Sequence, residues 1–132
     1  MTDPSTAADL LEMQSRKFQK ELSAGTVSLA LLAVLGAAVE PMYGYQIAKR
    51  LEQTGEGVLA GKQSALYPVL RNLEGAGLLG SHVEPSIAGP PRRYYRITDA
   101  GREVLASWTR AWRATRDSVD SVLQIPLSDR TS

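Results

Sequence analysis

The apolar positions in the first third of the chain recur at helical spacing and predict two helices. Residues 5–22 carry apolar side chains along one helical face, and Ala24 with Gly25 is expected to interrupt that helix. Residues 26–39 then form a second helix with almost no polar face, which is typical of the centre of a core. Pro41 cannot continue this helix, so a turn is expected there.

Two shorter helices are predicted next, over residues 44–54 and 63–75, with a glycine-containing connection between them. In the first, Tyr45, Ala48 and Leu51 are expected on the inward side. In the second, the inward positions are Leu66, Val69, Leu70 and Leu73. Each helix therefore has one face for a core and one for solvent.

After residue 77 the pattern changes to that of extended structure. Residues 78–85 and 92–97 predict two strands, and the turn-rich segment 86–91 predicts a hairpin tip. A long helix follows from residue 99, and Pro126 ends it. Its apolar residues recur at intervals of three, four, seven and three, the spacing of a heptad seam. The seam residues are Leu105, Trp108, Trp112, Val119 and Val122.

This order of elements predicts a mainly α fold with a small β-hairpin, a winged helix-turn-helix followed by a long C-terminal dimerisation helix. The expected regions are an N-terminal helix or arm at 1–23, a DNA-binding domain at 24–98, the dimerisation helix at 99–125 and a disordered tail at 126–132. Because hairpins also occur in proteins that bind no DNA, the order of elements does not by itself establish the function.

Composition excludes several classes of protein. A chain of 132 residues with 43% hydrophobic residues is long and apolar enough for one globular domain. It has no cysteine and a single histidine, His82, which excludes disulfides, thiolate metal sites and histidine clusters. There is no phosphate-binding glycine loop, no HExxH motif and no credible Ser/His/Asp set. Neither an enzyme nor a cofactor is therefore expected.

The placement of apolar and charged residues gives two further expectations. The apolar run from residue 27 to 39 is shorter than the roughly 20 residues of a membrane span, and the N-terminus lacks the features of a signal peptide. A cytoplasmic protein without a membrane partner is expected. The net charge of +1 does not indicate a nucleic-acid binder, but residues 89–97 carry three arginines and no acid. Local basic patches of this kind are what attract nucleic acid.

Three motifs resemble those of one family. Residues 44–51 (GYQIAKRL), 65–78 (ALYPVLRNLEGAGL) and 93–101 (RYYRITDAG) resemble the helix, recognition segment and wing end of PadR transcriptional regulators. The resemblance covers about residues 24–123, with the motifs in the family's order and spacing. Residues 58–62 depart from the family pattern. The single helix after the third motif resembles the shorter PadR subgroup.

The resemblance implies a dimeric repressor that is often released by a small molecule such as a phenolic acid or a drug. A protein of this kind binds a palindromic double-stranded DNA operator. The alternatives are a winged-helix module that binds protein, and a DNA binder without an effector.

The predicted recognition helix carries the candidate DNA-binding residues, which are Lys62, Gln63, Ser64, Tyr67 and Arg71. The last four share a helical face opposite the predicted apolar face. Gln63 can pair with adenine, and Arg71 with guanine or a phosphate. Tyr67 and Ser64 are expected to hold phosphates. The alternative is that this is simply the solvated face of an amphipathic helix.

The wing carries two more candidates for DNA binding, Arg92 and Arg93. Alternation along a strand sends them to opposite faces, so they are not expected to do the same job. One reaches a phosphate or the minor groove, and the other braces the domain. The alternative is an ordinary polar hairpin end. Glu74 is expected to pair locally, and His82 to lie on the surface without a function.

Trp108 and Trp112 are four residues apart and lie on one face of the last helix. A small monomer rarely exposes two tryptophans in this way, so they are expected at a subunit interface. The simpler interpretation is that the two tryptophans pack in the interface, and the more specific one is that they stack on a planar aromatic effector. The PadR resemblance implies a cavity at the dimer centre, and Trp112 matches its lining aromatic better than Trp108.

Overall fold

The computed structural model describes residues 4–54 and 63–125 of the chain. In chain order the elements are α1 (Pro4–Ala37), β1 (Met42–Tyr43), α2 (Gly44–Gln53), α3 (Gln63–Gly75), β2 (Leu79–Glu84), β3 (Arg92–Ile97) and α4 (Asp99–Leu123). This is a mostly helical fold with a small sheet, as predicted.

Helix α1 is continuous, so the predicted break at Ala24 and Gly25 is wrong. Glycine disfavours a helix by only about 1 kcal/mol, which the surrounding helical turns outweigh. The hydroxyl of Thr26 donates to the carbonyl of Leu22 at 2.8 Å, across the position of the expected break. The boundary between the regions 1–23 and 24–98 therefore falls inside one helix.

Helix α1 is also long and apolar enough, from Thr6 to Ala37, to meet the length and composition of a membrane span. The sequence-based estimate considered only the apolar run from residue 27 to 39, and it was too short because α1 continues without a break through Gly25. The apolar half of α1 supplies Leu31, Leu32 and Leu35 to the core, and all three are buried. The core helix of a protein without a membrane span can satisfy the same criterion, so a single helix of this kind is weak evidence for a membrane span.

The sheet has three strands in the order β1-β3-β2, with both pairings antiparallel. The hairpin of β2 and β3 was predicted, and β1 was not. A strand of two residues is too short to show an alternating pattern. Tyr43 of β1 lies opposite Tyr94 of β3, which ties the segment before α2 to the wing.

The core lies between the second half of α1, α2, α3 and the inner face of the sheet. Its buried members are Leu31, Leu32, Leu35, Ile47, Leu51, Leu66, Leu70, Leu73, Leu78, Leu79 and Tyr95. Burial of the ring raises the pKa of Tyr95 above its usual value, and the Glu74 carboxylate raises it further. Tyr95 is therefore neutral at physiological pH and packs as an apolar residue.

Two contacts fix α4 against the rest of the domain. Gly101 approaches the backbone so closely that an added Cβ would lie 2.2 Å from the carbonyl oxygen of Leu78. Arg102 donates to the carbonyl of Gly36 at 3.3 Å, near the end of α1. From these contacts α4 runs back along α1 in the opposite direction, with Trp112 near Leu22.

Candidate nucleic-acid interface

Two of the predicted contact residues, Ser64 and Arg71, lie on the outward face of α3, whereas Tyr67 does not share that face as predicted, because it packs against the core. Ser64 and Arg71 are exposed, whereas Leu66 and Leu70 are buried, so the two faces of the helix are opposite as expected. Lys62 and the side chain of Gln63 lie outside the described part of the chain. Arg71 is thus a cation on the outward surface of α3.

Tyr67 lies between the outward and inward faces of α3. It is half-buried and packs against the core. A Cβ added at Gly44 would lie 2.8 Å from the hydroxyl oxygen of Tyr67, so only glycine allows this approach to the first residue of α2. Tyr67 therefore sets how α3 packs against the start of α2, in addition to any contact with DNA.

Arg92 lies over the ring of Tyr43, with its guanidinium carbon 4.5 Å from the ring centroid. This is a cation–π contact, which holds the side chain without neutralising its charge. Tyr43 is held in turn by an edge-on contact with Tyr94, with centroids 5.4 Å apart. The exposed Arg92 charge is thus fixed in place at the tip end of the wing, where Arg92 pairs with Glu84.

Arg93 points to the other side of the sheet, where it lines a depression together with Arg71 and Glu74 of α3. Its Nη1 donates to the Ser81 hydroxyl oxygen at 3.0 Å. The Ser81 hydroxyl donates to a carboxylate oxygen of Glu74. The prediction that Arg92 and Arg93 take opposite faces is confirmed, as is the local pairing of Glu74. Arg93 is thus linked through Ser81 to Glu74, near the end of α3.

A cleft of about 360 Å³ joins α3 to the wing. It is lined by Tyr43, Tyr67, Ser86, Ala88, Gly89, Pro90, Pro91, Arg92 and Arg93. A second depression of about 450 Å³ on the same side is lined by Tyr67, Arg71, Glu74, Arg93 and Tyr95. Tyr67 and Arg93 line both, so the two depressions adjoin each other where α3 meets the wing.

Sequence reasoning missed part of the aromatic and basic surface next to this cleft. Tyr45 was expected inside but is 52% exposed, because Ile47 and Leu51 take the buried positions of α2. Lys49 places its Nζ 5.7 Å from the ring centroid of Tyr45. The spacing of four between Ile47 and Leu51 was the signal that would have identified the buried face.

The tryptophans line a different groove, between α1 and α4. Trp108 is half-buried against its own core, and Trp112 is 37% exposed. The groove has a volume of about 510 Å³ and is lined by Glu21, Leu22, Gly25, Thr26, Ser28, Leu29, Trp108, Ala111, Trp112 and Thr115. The proximal part of the predicted seam packs within the subunit, since Leu105 also packs against the core. Val119 and Val122 are exposed.

Comparison with known proteins identifies the family. The family model for PadR-like transcriptional regulators matches residues 31–107, more than half of the chain. The chain belongs to the PadR-like family. Members of this family are transcriptional regulators that bind DNA, and such regulators are generally not enzymes. Among the described residues, no group of three or more His, Cys, Asp or Glu side chains could hold a metal ion.

Solved PadR structures share the fold of this chain. A PadR family regulator from Eggerthella lenta is 30% identical, with a TM-score of 0.69, and the alignment covers 92% of this chain and 99% of that one. A PadR-like regulator from Bacillus cereus is 26% identical, with a TM-score of 0.66, over 80% of this chain and 99% of that one. An uncharacterised protein of Lysinibacillus sphaericus is 26% identical over 82 residues, which are 62% of this chain and 75% of the relative.

Proposed function

We propose that this PadR-like regulator is a homodimeric, sequence-specific repressor that acts on a palindromic operator in the cytoplasm and is released by a small aromatic effector. The observation that carries the DNA-binding part is the cleft that joins Tyr67 on α3 to Arg92 and Arg93 on the wing. A helix of this size can enter the major groove of DNA while a basic wing beside it contacts the adjacent phosphates.

In this proposal the exposed face of α3 enters the major groove. Arg71 contacts guanine or a phosphate, Gln63 contacts adenine, and Ser64 with Lys62 holds the backbone. Arg92, fixed over Tyr43, reaches a phosphate or the minor groove. Arg93 instead positions the wing, because its guanidinium is engaged by Ser81.

The test of DNA binding is the recovery of duplex fragments that the purified chain retains, followed by affinity measurements on the enriched site. Two half-sites about 34–36 Å apart are expected, as two-fold symmetric readers require. Arg71→Ala should weaken binding, by about 1–3 kcal/mol if it reads a guanine. Affinity should fall steeply as salt rises, because phosphate contacts release counterions.

The matched control is Glu12→Ala, which removes an exposed charge on α1 that pairs with Arg16 rather than with α3. It should leave affinity unchanged. Binding that is independent of salt, or that is indifferent to Arg71, would contradict the proposal and favour a winged-helix module that binds protein.

The effector part rests on the groove between α1 and α4. Its apolar lining includes both tryptophans, and a flat aromatic molecule can stack on Trp112, which is partly exposed. Because α4 begins directly after the wing at Thr98, a change in its packing can alter the spacing of two recognition helices. The effector must prefer the arrangement that does not bind DNA, since equal affinity for both would shift nothing.

This part is tested by titrating the parent and Trp112→Ala with planar drugs and phenolic acids, while following tryptophan fluorescence and operator affinity. At least one compound should quench the parent more than the variant and also lower operator affinity. If quenching compounds leave operator affinity unchanged, the chain is a DNA binder without this effector site.

A further inference from the structure

Strand β2 lies at one edge of the sheet, because the order of the strands is β1-β3-β2. It pairs with β3 on one side, so every second residue of β2 directs its backbone N–H and C=O groups away from the sheet. Such a row of outward backbone groups can pair with a strand of another chain, unless charges, proline or a covering element prevent it. The free edge of β2 is therefore a candidate interaction surface.

The hydrogen bonds of the hairpin show which residues of β2 face this edge. The backbone N–H of Thr98 donates to the carbonyl of Leu78 at 3.1 Å, just before β2 begins. Hydrogen-bonded pairs of this kind recur at every second residue, from Gly80 onwards. Ser81 and Val83 consequently direct their backbone N–H and C=O groups to the free edge. In the described part of the chain, no hydrogen bond reaches these groups from outside the hairpin.

Val83 is the exposed apolar residue of this edge. Its side chain is 51% exposed, although it lies in the middle of a strand pair. His82 and Glu84 flank it, and both are exposed on the opposite face of the hairpin. Their side chains lie 3.0 Å apart, between Nε2 of His82 and Oε1 of Glu84. An apolar residue at the edge thus has a histidine on one side and a carboxylate on the other.

The sequence His82-Val83-Glu84 is complementary to itself in an antiparallel pair. A two-fold axis at Val83 places this residue opposite its own copy, and each His82 opposite the partner's Glu84. The same axis brings the outward N–H and C=O groups of the two Val83 residues together as a hydrogen-bonded pair. An axis at Ser81, the other residue that faces the edge, would instead place Gly80 opposite His82 and would pair no charges.

The charges at this edge favour a second copy of the chain over nucleic acid. Strand β2 contains Glu84 and no lysine or arginine, so it offers phosphates no cation. The two arginines of β3 lie on opposite faces of the hairpin, and pairing at the edge covers neither face. The wing can therefore contact DNA and pair through its edge at the same time.

We infer that the free edge of β2 pairs with the same edge of a second copy about a two-fold axis at Val83, and that it joins two regulators wing to wing. This interface is separate from the groove between α1 and α4, so it does not depend on the proposed homodimer or effector. Pro85 has no N–H to extend the ladder, which keeps the pairing short. The buried area is then well below the roughly 800 Å² per partner of a stable interface, and the contact is weak in free solution.

A weak contact becomes effective when its two halves are held close together. Two regulators bound to neighbouring sites on one DNA molecule have a high effective concentration with respect to each other. Wing pairing would then make their binding cooperative. This consequence rests on the proposed DNA binding, whereas the pairing itself does not.

The first experiment is disulfide cross-linking, because the chain has no cysteine of its own. In Val83→Cys the two introduced thiols lie at the axis, with Cα atoms about 5.5 Å apart, a distance that a disulfide spans. In His82→Cys or Glu84→Cys alone, the two thiols are diagonal neighbours about 7–8 Å apart, which is too far. An equimolar mixture of these two variants places positions 82 and 84 directly opposite each other and should cross-link.

The matched control for exposure is Val39→Cys, because Val39 is 99% exposed and lies outside the hairpin. In a glutathione redox buffer, Val83→Cys should cross-link at least tenfold faster than this control. The mixture of His82→Cys and Glu84→Cys should exceed either variant alone by a similar factor. Equal rates for all variants would overturn the inference. Absence of cross-linking would also overturn it, and would leave the edge to a strand of another protein.

The second experiment tests the backbone pairing by sedimentation equilibrium of the full chain at tens to hundreds of micromolar. Val83→Pro removes an N–H that points away from the sheet, so the hairpin keeps its own hydrogen bonds. It should weaken the last association step of the parent at least tenfold. Val83→Lys places like charges at the axis and should act in the same way, with circular dichroism as the check on folding of both variants. Association that is indifferent to both changes would contradict the pairing.

Exchange of the two polar residues tests the register independently. His82→Glu places a carboxylate opposite the partner's Glu84 and should weaken association at least threefold, because like charges directly opposite are destabilising. The double variant His82→Glu/Glu84→His restores an opposite pair and should recover the value of the parent. A double variant as weak as His82→Glu would contradict the axis at Val83.

The consequence for DNA is measured on duplexes that carry two operators separated by spacers of several lengths. At least one spacer should give cooperative binding that Val83→Pro abolishes, while the affinity for a single operator is unchanged. Independent binding at every spacer would overturn this consequence. Register-specific cross-linking in a chain that retains no DNA would support the wing pairing and contradict the proposed repressor, and operator binding without such cross-linking would do the reverse.

Discussion

Arg92 and Arg93 are neighbours in sequence, yet they have different partners. Arg92 lies over an aromatic ring that leaves its charge available, and Arg93 is engaged by the Ser81 hydroxyl. Adjacent side chains of a strand point to opposite faces of the sheet, so two consecutive arginines lie on two different surfaces. At this scale, the partner of each side chain decides which charge remains available at the surface.

Replacing each arginine separately should distinguish these roles. Arg92→Ala is expected to weaken operator binding and to reduce the salt dependence by about one phosphate contact. Arg93→Ala should instead lower the free energy of unfolding by about 0.5–1 kcal/mol, because it removes a largely exposed hydrogen bond to the Ser81 hydroxyl, within the wing. Affinity at several salt concentrations and urea denaturation provide the two readouts. Equal salt slopes for parent and Arg92→Ala would contradict the assignment.

Tyr95 predicts an alkaline limit to stability. Burial raises its pKa in the folded state above 10.0, so the folded protein retains this proton at a pH where the unfolded chain loses it. The stabilisation from the neutral phenol is complete below about pH 10 and is lost as pH rises through the folded-state pKa. Urea denaturation of the parent and Tyr95→Phe from pH 8 to 11 tests this. The parent should lose more stability than the variant above pH 10, and parallel curves would contradict the prediction.

At the scale of elements, α1 and α4 each contain a glycine, and the space around the two glycines differs. Gly25 lies inside α1, and a Cβ placed there meets no atom within 4 Å. Gly101 lies in the first turn of α4, where a Cβ would collide with the backbone of Leu78. The same residue type is therefore dispensable for packing in one helix and required in the other.

Alanine at these two glycines should shift stability in opposite directions. Gly25→Ala should raise the free energy of unfolding by about 0.5–1 kcal/mol, because alanine loses less backbone freedom on folding. Gly101→Ala should lower the free energy of unfolding by at least about 1–3 kcal/mol, because the added methyl group collides with the Leu78 backbone and forces α4 away from the core. Thermal and urea unfolding of both variants checks this. A destabilised Gly25→Ala would show that α1 needs a break there after all.

At the scale of the whole molecule, a winged-helix core is joined to the first half of α1 and the second half of α4. The core buries its own leucines, whereas residues 6–25 and 109–125 leave ten large hydrophobic side chains exposed among those described. Burial of such residues drives association as well as folding. The stability of the molecule is consequently expected to depend on its partner copy.

The unfolding midpoint should therefore rise with protein concentration, because association stabilises only the folded chain. Light scattering should give the mass of a dimer, and that mass should be insensitive to salt, since an apolar interface is not screened. Scanning calorimetry over a hundredfold range of concentration measures the effect. A midpoint independent of concentration, together with a monomer mass, would contradict the dimer.

The sequence by itself determined the family and, except for β1 and the continuity of α1, the types of element and their approximate bounds. These depend on local period, on proline and glycine, and on three short motifs, all of which are properties of neighbouring residues. It also predicted that α3 has opposite apolar and polar faces and that Arg92 and Arg93 diverge, because helix and strand geometry alone fix those relations.

Only the tertiary structure decided which of these residues meet. Tyr67 packs on Gly44, Arg93 reaches Glu74 through Ser81, and Tyr45 is exposed because Ile47 takes the buried position. The first two contacts join residues that are distant in sequence, so no local pattern predicts them. The exposure of Tyr45 depends on which face of α2 meets the core, and the core is formed by other elements. The continuity of α1 was hidden for the same reason, since one glycine is a weak local signal that packing and neighbouring turns outweigh.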